Sequence, residues 1–216
     1  MPSHPRQLTF DPAADRRLAT AALVFAPALL LGMPTARAQG RRMLTPSQTE
    51  GPFYPLQLPA DRDHDLLAHG AARYARGTPV WLEGEVTDVE GRPVRGADVE
   101  IWQCDADGHY HHSGDGGRAD PDFQGFGRVR VGADGRYRFR TIEPVPYTGR
   151  TPHIHLKVKL GSRELLTTQV YVEGHPGNAR DFLWRRLSDA ERAAVTVPFT
   201  AGGDGRIAHL PVVVAA

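Results

Sequence analysis

Apolar and polar residues alternate along most of the chain after residue 77. PVWLEGEVTD puts Val80, Leu82, Gly84 and Val86 on one face, and DVEIWQCD repeats the pattern with Val99 and Ile101 after the turn-rich VEGRPVRGA. Period-two alternation of this kind marks half-buried strands. GRVRV and RYRFRTI flank an Ala133-Asp134-Gly135 turn and read as a hairpin whose apolar positions are Val129, Val131, Tyr137 and Phe139. HIHLKVKL and ELLTTQVYV read as another, joined at Gly161 and Ser162, and GRIAHLPVVVA closes the chain as a strand. Helical patterning is scarce. NARDFLWRRL is one short candidate, and SDAERAAV, with Ser188 and Glu191 at capping-box spacing, is a second. Many short strands between turns predict an all-β fold, a β-sandwich with short helices.

Upstream of the strands the pattern changes twice. Residues 39–76 are rich in proline and polar residues without periodicity, which predicts an extended arm over the core. Residues 1–38 read as a signal peptide: Arg16 and Arg17, an apolar run from Leu18 to Met33, then Ala36-Arg37-Ala38 as the cleavage pattern. The paired arginines suggest twin-arginine export to the periplasm or beyond, although Asp15, Ala19 and Thr20 depart from the usual pattern. A retained membrane anchor is the weaker alternative, because the run is short for a bilayer span and contains Pro27. Residues 77–216 form the predicted β-sandwich domain.

Composition narrows the chemistry. With 216 residues, 24% charged and 40% hydrophobic, the chain suits one globular domain with a sizeable core. A formal charge of +1 gives no electrostatic footprint for nucleic acid or an acidic membrane. The single cysteine, Cys104, excludes a disulfide framework and every multi-cysteine metal motif, so a metal here takes histidine and oxygen ligands. Cys104 itself reads as a buried small hydrophobe.

The stretch PYTGRTPHIH, residues 146–155, concentrates candidate chemistry. Pro152 favours extended geometry at Thr151, and alternation along the following strand points His153 and His155 to the same face. Two imidazoles make half a metal site. The alternative is an ordinary polar strand face, which Lys157 and Lys159 would continue toward solvent. Tyr147, in the loop entering this strand, adds a phenol, and a phenolate at neutral pH calls for a strong Lewis acid such as ferric iron. Two phenolates would offset most of the ferric charge, which makes Tyr110, in DADGHYHH, the second candidate.

At these residues the chain resembles the intradiol ring-cleavage dioxygenases, the family of the protocatechuate and catechol enzymes. The resemblance runs through TEGPFYP (49–55), LEGEVTDVEGRPVRGADVEIWQCDADGHY (82–110), DGRYRFRTIEPVPY (134–147), TPHIHLKV (151–158) and TTQVYVEG (167–174). It implies one Fe(III) per chain with Tyr110, Tyr147, His153 and His155 as ligands, Tyr147 being the one displaced by substrate. It also implies that Arg150 stabilises charge on the substrate ring and that Tyr54 and Gln169 line the substrate pocket. Read without the resemblance, Arg150 is a solvated loop arginine and Gln169 a polar strand residue. The implied reaction opens a catechol-type ring with dioxygen to a cis,cis-muconate-type diacid. Only five residues separate Tyr147 from His153, shorter than in well-known members, which implies a more open pocket.

Two other readings compete. The first strand pair also resembles transthyretin-like and carbohydrate-binding sandwiches, which use it as scaffold. A zinc hydrolase is weakened by the lack of a carboxylate beside HIH. The histidines around Tyr110, namely His109, His111 and His112, read as solvent-exposed. The identity of the catechol and any homo-oligomer are left open.

Overall fold

The computed structural model describes residues 40–216, and the predicted signal peptide lies outside the described residues. Residues 40–67 carry neither helix nor strand, and a short hairpin follows, β1 (Ala68–His69) and β2 (Ala72–Arg73). The remaining strands are β3 (Pro79–Thr87), β4 (Asp98–Trp102), β5 (Phe126–Arg130), β6 (Arg136–Ile142), β7 (His153–Leu160) and β8 (Arg163–Val172), then β9 (Thr196–Val197), β10 (Thr200–Gly202), β11 (Gly205–His209) and β12 (Val212–Val213). One α-helix, α1 (Asp189–Val195), lies among the described residues. In the first sheet β3 pairs with β6 on one side and with β11 and β12 on the other, and β10 extends it beyond β11. The second sheet runs β5-β4-β7-β8-β9.

The predicted β-sandwich is present. Val80, Leu82 and Val86 from β3, Tyr137 and Phe139 from β6, Val99 and Ile101 from β4, and Ile154, Leu156 and Val158 from β7 share one core. Close packing at its edge constrains Gly84: a Cβ there would stand 1.9 Å from the Leu210 carbonyl oxygen, which accepts a hydrogen bond from the Tyr137 hydroxyl.

Three local expectations need correction. β5 and β6 are not a hairpin: β5 pairs with β4 and β6 with β3, so the turn at residues 131–135 crosses from one sheet to the other. A sandwich corner sends alternate residues into one core just as a hairpin does, so the two share a hydrophobic pattern. The closing strand is split into β11 and β12 at Leu210-Pro211, where proline offers no N–H to the ladder. NARDFLWRRL forms two short 3₁₀ turns, Asn178–Arg180 and Trp184–Arg186, rather than one helix. Between them Asp181 is extended, and its carboxylate accepts from the N–H groups of Leu183 and Trp184, both at 3.0 Å. The second helix matches its expectation, with both halves of the Ser188–Glu191 capping box formed.

Candidate metal centre

One face of the second sheet meets the core. The other carries Trp102, Glu100, His153, His155, Lys157, Gln169 and Tyr171, brought into line by register: Trp102 lies opposite His155, and His155 opposite Gln169. The arm covers this polar face. The Gln48 N–H donates to the Thr167 carbonyl at 2.8 Å, Gln48 Nε2 to the Tyr171 hydroxyl at 2.9 Å, and Gln169 Nε2 to the Thr49 carbonyl at 3.1 Å. Glu50 pairs with Lys157, whose ammonium also lies 3.9 Å from the Tyr54 ring centre. The alternative reading, a polar face that Lys157 continues toward solvent, does not hold at Lys157: it is buried, as are both histidines.

Beneath the arm the two imidazoles and two phenols converge. His153 Nε2 stands 3.2 Å from His155 Nε2, and the ring centres of Tyr110 and Tyr147 are 5.3 Å apart, edge to face. Tyr147 lies 5.4 Å from His153 and Tyr110 6.0 Å from His155, ring centre to ring centre. His153 Nδ1–H donates to the Thr151 carbonyl at 2.7 Å, since a carbonyl only accepts, and this leaves Nε2 as the lone-pair nitrogen facing His155. The His155 ring stacks on Trp102 at 4.7 Å with planes 8° apart. Burial, aided by the nearby Arg150 charge, pushes His153 down to about 3. Burial and then the neighbouring His153 hold His155 well below its ordinary range. Both are thus neutral, the form in which imidazole binds metal.

The two tyrosines differ. Tyr110 is 2% exposed, its ring stacks on Phe53 at 4.6 Å, and its hydroxyl has no hydrogen-bond partner among the described residues. Tyr147 is half-buried and borders an open cleft with Gly108, His109, Pro146 and Thr148. Burial raises both phenols above their ordinary value, and at Tyr147 the Arg150 charge works against that rise.

Arg150 is not a solvated loop residue. Its Nε donates to Asp181 Oδ2 at 2.7 Å, its Nη2 to Gln169 Oε1 at 2.6 Å, and its Nη1 lies 3.5 Å from the Tyr147 hydroxyl. Burial alone would lower the guanidinium, but the hydrogen bond and charge of Asp181 carry it above its ordinary value. Asp181 is correspondingly held low: burial opposes this, and the Arg150 hydrogen bond and backbone N–H groups outweigh burial. Gln169 is buried and reaches the site through Arg150. Tyr54 sits edge-on against Trp102 at 5.0 Å, and its hydroxyl donates to buried Glu100 at 2.8 Å, so that hydroxyl turns away from the histidines.

Sequence reasoning missed three contributors. Asp181 anchors Arg150 from 31 residues away, Phe53 lies against both tyrosines, and Trp102 backs His155. Phe53 and Trp102 carried a signal, as parts of TEGPFYP and VEIWQCD. Of the flanking histidines, His109 lies 3.3 Å from Asp115, His112 Nδ1 accepts from the Gly114 N–H, and His111 bonds the Phe123 carbonyl, so all three brace their loop. His109 and His112 are also partly withdrawn from water, whereas His111 is exposed as expected. Cys104 is buried as expected, and burial pushes its thiol up to about 12.

This donor set fits a ferric ion. Among the described residues no three His, Cys, Asp or Glu side chains gather into a metal-binding group, so the further protein donors beside the two imidazoles are phenol oxygens. The unpartnered Tyr110 hydroxyl and the facing Nε2 atoms supply oxygen and nitrogen donors in one buried place. A cleft of about 750 Å³ lies elsewhere, between charged residues such as Glu83, Arg136 and Arg138, and includes none of these groups.

A family model described as "Dioxygenase" matches residues 49–195. The 6-chlorohydroxyquinol 1,2-dioxygenase of Cupriavidus pinatubonensis is 42% identical over 127 residues, covering 50% of this chain and 45% of that protein. The protocatechuate 3,4-dioxygenase beta chain of Burkholderia cepacia is 37% identical over 154 residues, covering 65% of each. The chain spans about half the length of the first curated relatives that it matches. Among solved structures, the dioxygenase domain of a dioxygenase carbohydrate-binding protein fusion from Streptomyces sp. SirexAA-E aligns with a TM-score of 0.63 at 32% identity, covering 79% of this chain and 97% of that one. With the family model spanning most of the arm, strands β1 to β8 and the converging tyrosines and histidines, the chain belongs to the intradiol dioxygenase family.

Proposed function

We propose that the protein is a non-haem iron(III) dioxygenase that opens a catechol-type ring between its two hydroxyl-bearing carbons and yields a cis,cis-muconate-type diacid. Tyr110, Tyr147, His153 and His155 would hold one ferric ion per chain. The observation that carries this reading is their convergence under the arm, with Arg150 fixed beside Tyr147. Relatives named for hydroxyquinol, catechol and protocatechuate support an aromatic diol as substrate.

Ferric iron would supply a Lewis acid strong enough to keep phenolate oxygens ionised and to acidify both substrate hydroxyls. The chain supplies the rest. Buried Tyr110 is fixed by Phe53 and serves as a permanent donor, whereas Tyr147 borders the cleft and its Oη is placed to take a proton from an arriving hydroxyl. Arg150 cannot swing away, because Asp181 and Gln169 hold its guanidinium from two sides. Its charge is preorganised for negative charge developing on the ring. The arm and Phe53 exclude water from the histidine side.

The test is a panel of catechol, hydroxyquinol, chlorinated hydroxyquinol and protocatechuate, followed by oxygen uptake and product mass. At least one substrate should consume one dioxygen per ring and give a diacid carrying both oxygen atoms. Uptake by none of the panel in iron-replete protein would contradict the proposal.

A further inference from the structure

We infer that the arm positions Arg150: Gln48 acts on it through Tyr171 and Gln169, which makes Gln48 and Tyr171 positioning residues for the guanidinium. The effect on turnover rests on the reaction proposed above, whereas the placement of Arg150 does not.

Donor and acceptor chemistry fixes the direction of every hydrogen bond on this path. An arginine only donates, so the Gln169 atom 2.6 Å from Arg150 Nη2 is the amide oxygen, and Gln169 Nε2 donates to the Thr49 carbonyl of the arm at 3.1 Å. The Tyr171 hydroxyl lies 3.0 Å from that same amide oxygen. Two oxygens this close need a proton between them, and only the phenol has one to give. Its proton is therefore committed to Gln169, and its oxygen is left to accept from Gln48 Nε2 at 2.9 Å. Gln48, Tyr171 and Gln169 thus form one directional chain that ends on the oxygen holding Arg150.

Asp181 alone leaves the guanidinium room to turn. Its Oδ2 meets Arg150 Nε at 2.7 Å, but its Oδ1 stands 3.4 Å from Nη2, the nitrogen that Gln169 holds at 2.6 Å. This second anchor sets where Nη1 lies, 3.5 Å from the Tyr147 hydroxyl. A glutamine amide turns over unless both of its ends are held, and here Thr49 and Tyr171 hold them. The main chain of the arm docks without help from the Gln48 side chain: the Gln48 N–H donates to the Thr167 carbonyl and Thr168 Oγ1 to the Pro46 carbonyl, each at 2.8 Å. The Tyr171 ring is fully buried against Leu187 and Val195, so its place does not depend on its hydroxyl.

Two variants separate positioning from packing. Tyr171→Phe keeps the ring and removes the hydroxyl. Gln48→Glu keeps the size and still offers Tyr171 a partner, but a carboxylate only accepts, so it draws the phenol proton away from Gln169. A merely structural hydrogen bond survives that second change. Crystal structures of the purified full chain, which need no turnover, should show Arg150 Nη2 moved off Gln169 onto Asp181 Oδ1 in both variants, with Nη1 farther from Tyr147. In iron-loaded protein both variants should lose about tenfold in kcat with KM changed less than about twofold, at unchanged iron content. In the Arg150→Ala background either change should slow turnover much less. Arg150 and Gln169 unmoved in either variant, or wild-type kcat in either, would overturn the inference. Should Tyr171→Phe fail to fold, Gln48→Glu decides alone. If the wild-type protein turns over no catechol, the proposed reaction falls, and the crystal structures still decide the placement of Arg150.

Discussion

The two faces of β7 are equally withdrawn from water and for opposite reasons. Ile154, Leu156 and Val158 are each 0% exposed because the first sheet packs against them. His153 and His155 are each 1% exposed, and Lys157 5%, because an irregular arm lies over them and bonds to the neighbouring strand. The inner face gains from leaving water, by about 25 cal/mol per Å² of apolar surface. The outer face buries groups that cost free energy unless each finds a partner. Lys157 has Glu50 and Glu164, His153 has the Thr151 carbonyl, and Arg150 has Asp181. The Tyr110 hydroxyl has no partner among the described residues, and the two imidazole Nε2 atoms face each other at 3.2 Å. In this sheet, alternation separates fold from chemistry rather than inside from outside.

Substitutions on the two faces should fail in different ways. The largest effect is expected at His155→Ala, which should reduce iron content to background and abolish turnover while leaving the melting of metal-free protein near that of metal-free wild type. Next, Leu156→Ala, one residue away on the other face, should cost about 2–5 kcal/mol in a denaturant titration, while the folded fraction keeps its iron. Arg150→Ala should retain iron and colour and lose about 100-fold to 1000-fold in turnover. Asp181→Asn should follow at on the order of 10-fold to 100-fold, and in the Arg150→Ala background its further effect on turnover should be much smaller, because its charge acts chiefly through that arginine. The smallest effect is at the arm: Glu50→Gln should cost less than about 1 kcal/mol, because its carboxylate is 43% exposed and Lys157 keeps Glu164 at 3.3 Å. Equal iron loss from Leu156→Ala and His155→Ala would erase the contrast between the faces.

Much of this was legible in the chain, and the missing parts share a cause. Alternation located β3, β4, β7 and β8, and the Ser188–Glu191 pair marked α1, because those signals lie within a few neighbouring residues. Partner choice was not local. The residues of β5 and β6 look like a hairpin, and only the packed sandwich shows that they pair with β4 and β3. The same holds at the site. Tyr147, Arg150, His153 and His155 fall within nine residues and could be read together. Asp181 reads as a helix residue until its carboxylate is seen to hold Arg150, the Thr151 N–H and the turn at Leu183 at once. Lys157 misled for a related reason, since nothing in HIHLKVKL announces that Glu50, 107 residues earlier, lies over that face.

The central claim is that the outer face of β7 and the two tyrosines beside it hold ferric iron through phenolate oxygen. The visible absorption spectrum of the purified protein, read with its metal content, tests this most directly. The account predicts about one iron per chain and a broad phenolate-to-iron band that weakens in Tyr147→Phe and is lost with the metal in His155→Ala. A colourless protein carrying stoichiometric zinc, or an iron protein whose spectrum is unchanged by both Tyr110→Phe and Tyr147→Phe, would contradict it.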